Sequence, residues 1–182
     1  MRYAYWFWEN LLPITKIKKI NKLIQLNSFI ADDGKAQYAK KTATTKTIKL
    51  NHLRNLLQEE LDKLLNINRL KFGFTLYPLL NSKNCLYHTY DSKDKGQYNW
   101  HIDGSKDEDN FDIKLTALIN LSEKKFEGGD LKLFVGKVTK VNEFKNSGSM
   151  IIFKSNILHK VSPVIKGKRN TLTILLEGPR FI

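Results

Sequence analysis

The 182-residue chain predicts a mainly β fold with supporting helices, a closed or sandwiched β core preceded by two amphipathic helices. Apolar residues recur at helical spacing twice within the first 70 residues. From about residue 72 the texture changes to short alternating runs, and turn chemistry separates them. No internal repeat is present, which removes solenoids and propellers.

Taken in order, residues 3–8 (Tyr3-Ala4-Tyr5-Trp6-Phe7-Trp8) read as a short aromatic strand. Pro13 precedes a helix whose apolar positions are Ile14, Ile17, Ile20, Leu23 and Ile24. Residues 31–47 are polar and small and read as a mobile loop, a candidate gate over substrate. A second helix follows, with Asn51 as its expected N-cap and Leu53, Leu56, Leu57, Leu61, Leu64 and Leu65 on one face. The expected strands are 85–90, 98–103, 113–121, 130–135, 149–153 and 171–177. Turns fall at Asp94-Lys95-Gly96, Glu127-Gly128-Gly129-Asp130, Asn146-Ser147-Gly148 and Lys166-Gly167-Lys168. The simplest organisation is one domain, with residues 1–70 as N-terminal strand and supporting helices and 71–182 as the core.

Hydrophobic residues at 41% and aromatic residues at 11% place the chain among globular proteins and exclude a disordered one. Cys85 stands alone and cannot form an internal disulfide, which fits a reducing compartment. The aromatic N-terminus does not resemble a signal peptide, and no apolar stretch is long enough to cross a bilayer. The expectation is a cytoplasmic protein that does not enter a membrane. The net charge of +13 admits a nucleic-acid partner, but the positive residues are overwhelmingly Lys and are scattered along the chain. A Lys/Asn/Ile-rich composition is favoured over a dedicated binding stripe.

Chemistry concentrates in His101-Ile102-Asp103, and in His159 with Arg169 downstream. Two imidazoles and a carboxylate hold iron(II) on one face and leave other coordination positions open. Residues two apart on an extended segment share a face, so His101 and Asp103 converge, and His159 lies several strands later, far enough to return beside them. Arg169 opens the last strand and shares a face with Thr171, Thr173 and Leu175. Its guanidinium can grip a carboxylate through two parallel hydrogen bonds, which Lys cannot do. Tyr98 and Trp100 flank the first pair as expected substrate contacts. His52 reads as solvated, and His88, on one face with Leu86 and Tyr90, as structural. Asp107-Glu108-Asp109 reads as a solvated loop that could meet a cationic substrate.

These segments resemble the prolyl 4-hydroxylase-like Fe(II)/2-oxoglutarate-dependent dioxygenases of the small phage and bacterial type. Tyr90 and Gly96-Gln97-Tyr98-Asn99-Trp100-His101-Ile102-Asp103 are similar to that family's Tyr-x-x-Gly-x-x-Tyr-x-x-His-x-Asp segment. Glu127-Gly128-Gly129-Asp130-Leu131 resembles its Glu-Gly-Gly-Glu/Asp-Leu turn, and the run from His159 to Arg169 its His-x-Val-x-Pro-Val-x-x-Gly-x-Arg. The resemblance covers residues 72–182 and implies a double-stranded β-helix (jelly roll) with the N-terminal helices packed on one sheet. It implies His101, Asp103 and His159 as iron ligands and Arg169 as partner of the distal carboxylate of 2-oxoglutarate. Tyr90 and Thr173 would assist that carboxylate, and Tyr98 would stand near substrate. Oxygen is the second co-substrate and ascorbate a candidate reductant. The implied reaction is hydroxylation of a peptide or protein, first of all at proline, with release of succinate and CO2.

The chain departs from the pattern twice. The segment from Tyr90 to His101 is about two residues longer than in plant and algal prolyl hydroxylases, and Leu175 stands where many bacterial relatives have Trp. Two alternatives remain. A nucleic-acid demethylase of the same chemistry would carry Arg-x-Asn-x-x-x-Arg, but Thr171 and Leu175 occupy the second and third of those positions. A non-catalytic basic jelly-roll binding module would not need the full set of His101, Asp103, His159 and Arg169.

Overall fold

The computed structural model describes residues 3–30, 39–104 and 110–180. The first part of the chain holds strand β1 (Tyr5–Trp8), helix α1 (Ile14–Asn27), strands β2 (Phe29–Ile30), β3 (Lys41–Thr42) and β4 (Thr44–Lys49), and helix α2 (Arg54–Ile67). The middle supplies β5 (Asn84–Asp91), β6 (Gln97–His101), β7 (Asp112–Asn120), β8 (Glu127–Gly128), β9 (Leu131–Phe134) and β10 (Val138–Lys140). The last part supplies β11 (Met150–Lys154), β12 (His159–Val161), β13 (Val164–Lys166) and β14 (Lys168–Gly178). They build a seven-stranded sheet in the order β1-β11-β7-β14-β5-β4-β2 and a five-stranded sheet in the order β10-β9-β12-β6-β3, with β8 and β13 as a separate pair. Both sheets are antiparallel throughout, and both draw strands from the first 70 residues.

The central strands of the large sheet are buried on both faces, and their period of two sorts side chains between two interiors. One set of positions packs with the helices in the main core: Leu115, Ala117 and Ile119 of β7, Met150 and Ile152 of β11, and Leu172, Ile174 and Leu176 of β14. The other set faces the small sheet. There Leu118, Ile151 and Phe153 pack with Leu131 and Leu133 of β9. This is the jelly-roll arrangement expected from the sequence, with both helices on the outer face of one sheet.

Each helix buries the stripe that its spacing marks. α1 buries Ile17, Ile20, Asn21 and Ile24, and α2 buries Leu57, Glu60, Leu61, Leu64 and Ile67. Lys16 Nζ clamps the buried Glu60 carboxylate at 2.7 and 2.8 Å and so ties α1 to α2. Among the described residues no helix is long and apolar enough to cross a membrane.

Two local expectations need correction. Asn51 does not cap α2: it lies in a 3-10 turn, Leu50–His52, whose backbone bond from Leu53 N to Leu50 O leads into the helix at Arg54. The polar segment 31–47 is not wholly a loop, since Lys41–Thr42 and Thr44–Lys49 are strands; its part from 31 to 38 lies outside the described residues. Threonine explains the difference. Its branched side chain suits a pleated surface although it scores as polar, and Thr45 and Thr47 are buried against β5. Leu57 belongs to the apolar core between α2 and the sheet and is fully buried. Leu57→Ala is expected to cost about 2–5 kcal/mol of stability, read as a lower midpoint in chemical denaturation with an unchanged slope.

Candidate active site

His101 ends β6 and His159 begins β12, and the two are direct partners across the antiparallel pair. Each imidazole is oriented the same way: Nδ1 donates to the carbonyl two residues earlier, His101 to Asn99 at 2.7 Å and His159 to Ile157 at 2.9 Å. With Nδ1 protonated, both Nε2 lone pairs are left for a metal. They point at Asp103, whose Oδ1 lies 3.8 Å from His101 Nε2 and whose Oδ2 lies 3.5 Å from His159 Nε2. One ligand atom from each residue falls within 4.8 Å of the others. Burial and the neighbouring His159 push His101 down to about 4, so it remains the neutral ligand at physiological pH.

Asp103 lies just past the end of β6 and is placed by two bonds to remote residues. Its backbone N–H donates to Ser155 O at 3.0 Å, and the buried Thr116 hydroxyl donates to its Oδ2 at 2.7 Å. Thr116 sits on β7 among apolar residues, and the sequence offers no sign of this role beyond one polar side chain in an apolar run.

β6 also carries a bulge. Tyr98 pairs with Val161 and His101 with His159, so three steps on β6 oppose two on β12. The extra residue breaks the alternation and brings Tyr98 onto the side of His101, where the rings stack at 3.5 Å. Trp100 is thereby turned away. It is not among the residues lining the cavity beside the triad and lies under Lys160 Nζ, 4.9 Å from its ring.

The triad lines a cavity of ≈110 Å³ together with Lys41, Leu86, His88, Tyr90, Tyr98 and residues of β9, β12 and β14. Exposure gives it a direction. Lys41, Tyr98, His101 and Asp103 are half-buried, whereas Tyr90, Arg169, Thr171 and Thr173 are buried. His101 and Asp103 therefore stand nearer the mouth, whereas His159 and the guanidinium are buried. Arg169, Thr171, Thr173 and Leu175 all face the cavity, as their alternation on β14 predicts. Arg169 is only 2% exposed, its Nη1 donates to Thr171 Oγ1 at 3.0 Å, and its Nη2 is buried without a partner among the described residues. Its charge lies 5.1 Å from the Tyr90 ring and 5.5 Å from that of Phe144. Burial holds Tyr90 up at about 12, so it is a neutral phenol.

The Glu127-to-Asp130 turn makes room for that guanidinium. Gly129 has φ +60°, and a Cβ there would lie 2.9 Å from Val164 Cγ2 and 3.1 Å from Arg169 Cδ. Its N–H donates to Pro163 O at 2.9 Å, and β8 pairs β13, so the two sequence motifs that flank Arg169 fold directly onto each other. His52 is exposed as expected. His88 is buried but lines the cavity, which its reading as purely structural does not anticipate. The acidic run at 107–109 lies outside the described residues.

A family model for the 2OG-Fe(II) oxygenase superfamily matches residues 85–177, which contain every one of the cavity's metal-type donors and Arg169. The chain belongs to this superfamily. It is 31% identical over 171 residues to a PKHD-type hydroxylase of Prochlorococcus marinus (strain AS9601), an alignment that spans 88% of this chain and 72% of the relative. In fold it matches a prolyl-4-hydroxylase of Pseudomonas putida with a TM-score of 0.71 at 18% identity, over 98% of this chain and 94% of that one. It matches the viral collagen prolyl hydroxylase of Paramecium Bursaria Chlorella virus-1, solved with 2OG, with a TM-score of 0.70 at 16% identity, over 97% of each. The site fits the two groups this superfamily is named for. Two imidazoles and a carboxylate suit iron(II), and a buried guanidinium with an unpaired N–H suits a carboxylate.

Two substitutions test this geometry. Thr116→Val is expected to leave the fold intact and weaken iron(II) affinity by about tenfold, since the carboxylate ligand loses its orienting bond; metal titration of the folded variant reads it. Gly129→Ala is expected to cost about 1–3 kcal/mol through its left-handed backbone, and to displace Arg169, so that both melting temperature and 2-oxoglutarate affinity fall together.

Proposed function

We propose that this oxygenase hydroxylates a peptide or protein, in the first place at a proline residue, with iron(II) held by His101, Asp103 and His159 and 2-oxoglutarate gripped at Arg169. The observation that carries the reading is the layout of one cavity, which brings half-exposed His101 and Asp103 and buried His159 together with a buried, incompletely paired guanidinium. When bound, iron(II) and 2-oxoglutarate supply oxidative decarboxylation to succinate and CO2, coupled to transfer of one oxygen atom of O2 into a substrate C–H bond.

The chain's own residues do the rest by position. Asn99 and Ile157 carbonyls fix the two imidazole tautomers, and Thr116 holds Asp103 Oδ2, which faces His159, while Oδ1 faces His101. Arg169, with Tyr90 and Thr173 on the same lining, sets where a distal carboxylate rests. Leu118, Leu131 and Val161 exclude water around it. A cavity of ≈110 Å³ has no room for a peptide as well, so the larger substrate meets the site from outside, where Tyr98 stacks on His101 and Lys41 sits 5.3 Å over the Tyr98 ring. A peptide is supported by the likeness to a Trichoplax adhaerens prolyl hydroxylase solved with a hypoxia inducible factor peptide fragment, which matches 95% of this chain with a TM-score of 0.63 at 17% identity.

The test has two parts. Anaerobic addition of iron(II) and 2-oxoglutarate is expected to give a visible charge-transfer band that His159→Ala abolishes. Arg169→Ala is expected to raise the 2-oxoglutarate requirement by about tenfold or more, the cost of a charge-assisted carboxylate contact. With oxygen and a panel of proline-containing peptides, mass spectrometry is expected to find one added oxygen atom on proline. Turnover of 2-oxoglutarate with no oxygen gained by any peptide or protein would reject the peptidyl substrate.

A further inference from the structure

Lys41, Thr45 and His88 form a hydrogen-bonded chain along one wall of the cavity. Lys41 Nζ donates to Thr45 Oγ1 at 2.9 Å, and Thr45 Oγ1 lies 3.0 Å from His88 Nδ1. An ammonium can only donate, so the hydroxyl accepts from it. Thr45 is 3% exposed, and His88 is the acceptor its hydroxyl proton can reach among the described residues. Nδ1 therefore accepts, which puts the ring proton on Nε2. His88 is 8% exposed and lines the cavity, and its Nε2 has no hydrogen-bond partner among the described residues. Burial, reinforced by the charges of Lys41 and Arg169, holds its pKa well below the ordinary histidine range and keeps it neutral.

His88 is also close in register to the guanidinium. It stands directly across from Thr171, which takes Arg169 Nη1, while Tyr90, two residues along β5, stands across from Arg169 itself. A neutral N–H donor and an unpaired guanidinium N–H thus line the same buried floor.

We propose that His88 is a positioning residue for the co-substrate: its Nε2–H donates to the distal carboxylate beside Arg169, and Lys41 and Thr45 hold it in the donating tautomer. The inference rests on the reading of Arg169 as the carboxylate site. It gives the floor one charged and one neutral donor, so a 2-oxo acid lacking the distal carboxylate leaves both unpaired.

The experiment is calorimetric titration of the manganese(II)-loaded full chain with 2-oxoglutarate and, separately, pyruvate. Wild type is compared with Arg169→Leu, His88→Leu, His88→Gln and Thr45→Val, each checked for folding by thermal melting. His88→Leu is expected to weaken 2-oxoglutarate by about tenfold, with pyruvate unmoved. His88→Gln, which keeps an N–H donor, is expected to recover to within about threefold of wild type, and Thr45→Val to fall between them. Nitrogen-15 spectra of the histidine side chains in the metal-free wild type are expected to show His88 as the Nε2–H tautomer, a readout that survives if His88→Leu does not fold. Weakening by Arg169→Leu with none by His88→Leu, or an Nδ1–H tautomer, overturns this inference and leaves the carboxylate site standing. A wild type that does not bind 2-oxoglutarate overturns both.

Discussion

Strand β14 is hydrogen-bonded along both edges, to β7 on one side and β5 on the other, and neither of its faces meets bulk solvent along its central residues. A strand so confined cannot slip by one residue, because a slip would exchange Leu172, Ile174 and Leu176 for Arg169, Thr171 and Thr173. The main core would then receive a guanidinium and two hydroxyls. The apolar packing under the helices therefore fixes the position of the polar floor, and the site inherits its precision from the core.

The metal-type donors obey a second restraint. Both imidazoles hang from backbone carbonyls two residues earlier, on β6 and in the turn before β12, and the carboxylate between them is held by a hydroxyl from the opposite sheet. The two sheets thus meet in a polar contact at the triad as well as in the apolar cluster around Phe153, whose ring lies 4.8 Å from that of His159. Close packing there leaves little play for the ligands, whose donor atoms all lie within 4.8 Å of one another.

What the sequence made legible follows from where periodicity was clean. Arg169, Thr171 and Thr173 could be assigned to one face because they stand two apart on β14, with Leu172 and Ile174 on the other face. His101 and Asp103 were readable from spacing, yet β6 stops at His101 and Asp103 is placed by Ser155 and Thr116. Those two partners are remote in sequence, so no local pattern marks them. The bulge that separates Trp100 from Tyr98 arises only when β6 meets β12, and it is equally invisible to a local reading. Strands β3 and β4 were hidden for a chemical reason: Lys and Thr look like loop residues until a neighbouring strand covers one face.

The short aromatic strand at the start of the chain has a bearing on how the protein is made. β1 pairs with β11 alone and forms the edge of the large sheet, Tyr5 opposite Phe153 and Trp8 opposite Met150. During synthesis β1 emerges long before β11, its partner in the sheet. The closing of that edge is a late, long-range event, and until then a sticky N-terminal segment is left waiting. An oxygenase assembled in this order keeps an aromatic strand unpaired until β11 is made, and through that interval the strand is open to pairing with the wrong partner.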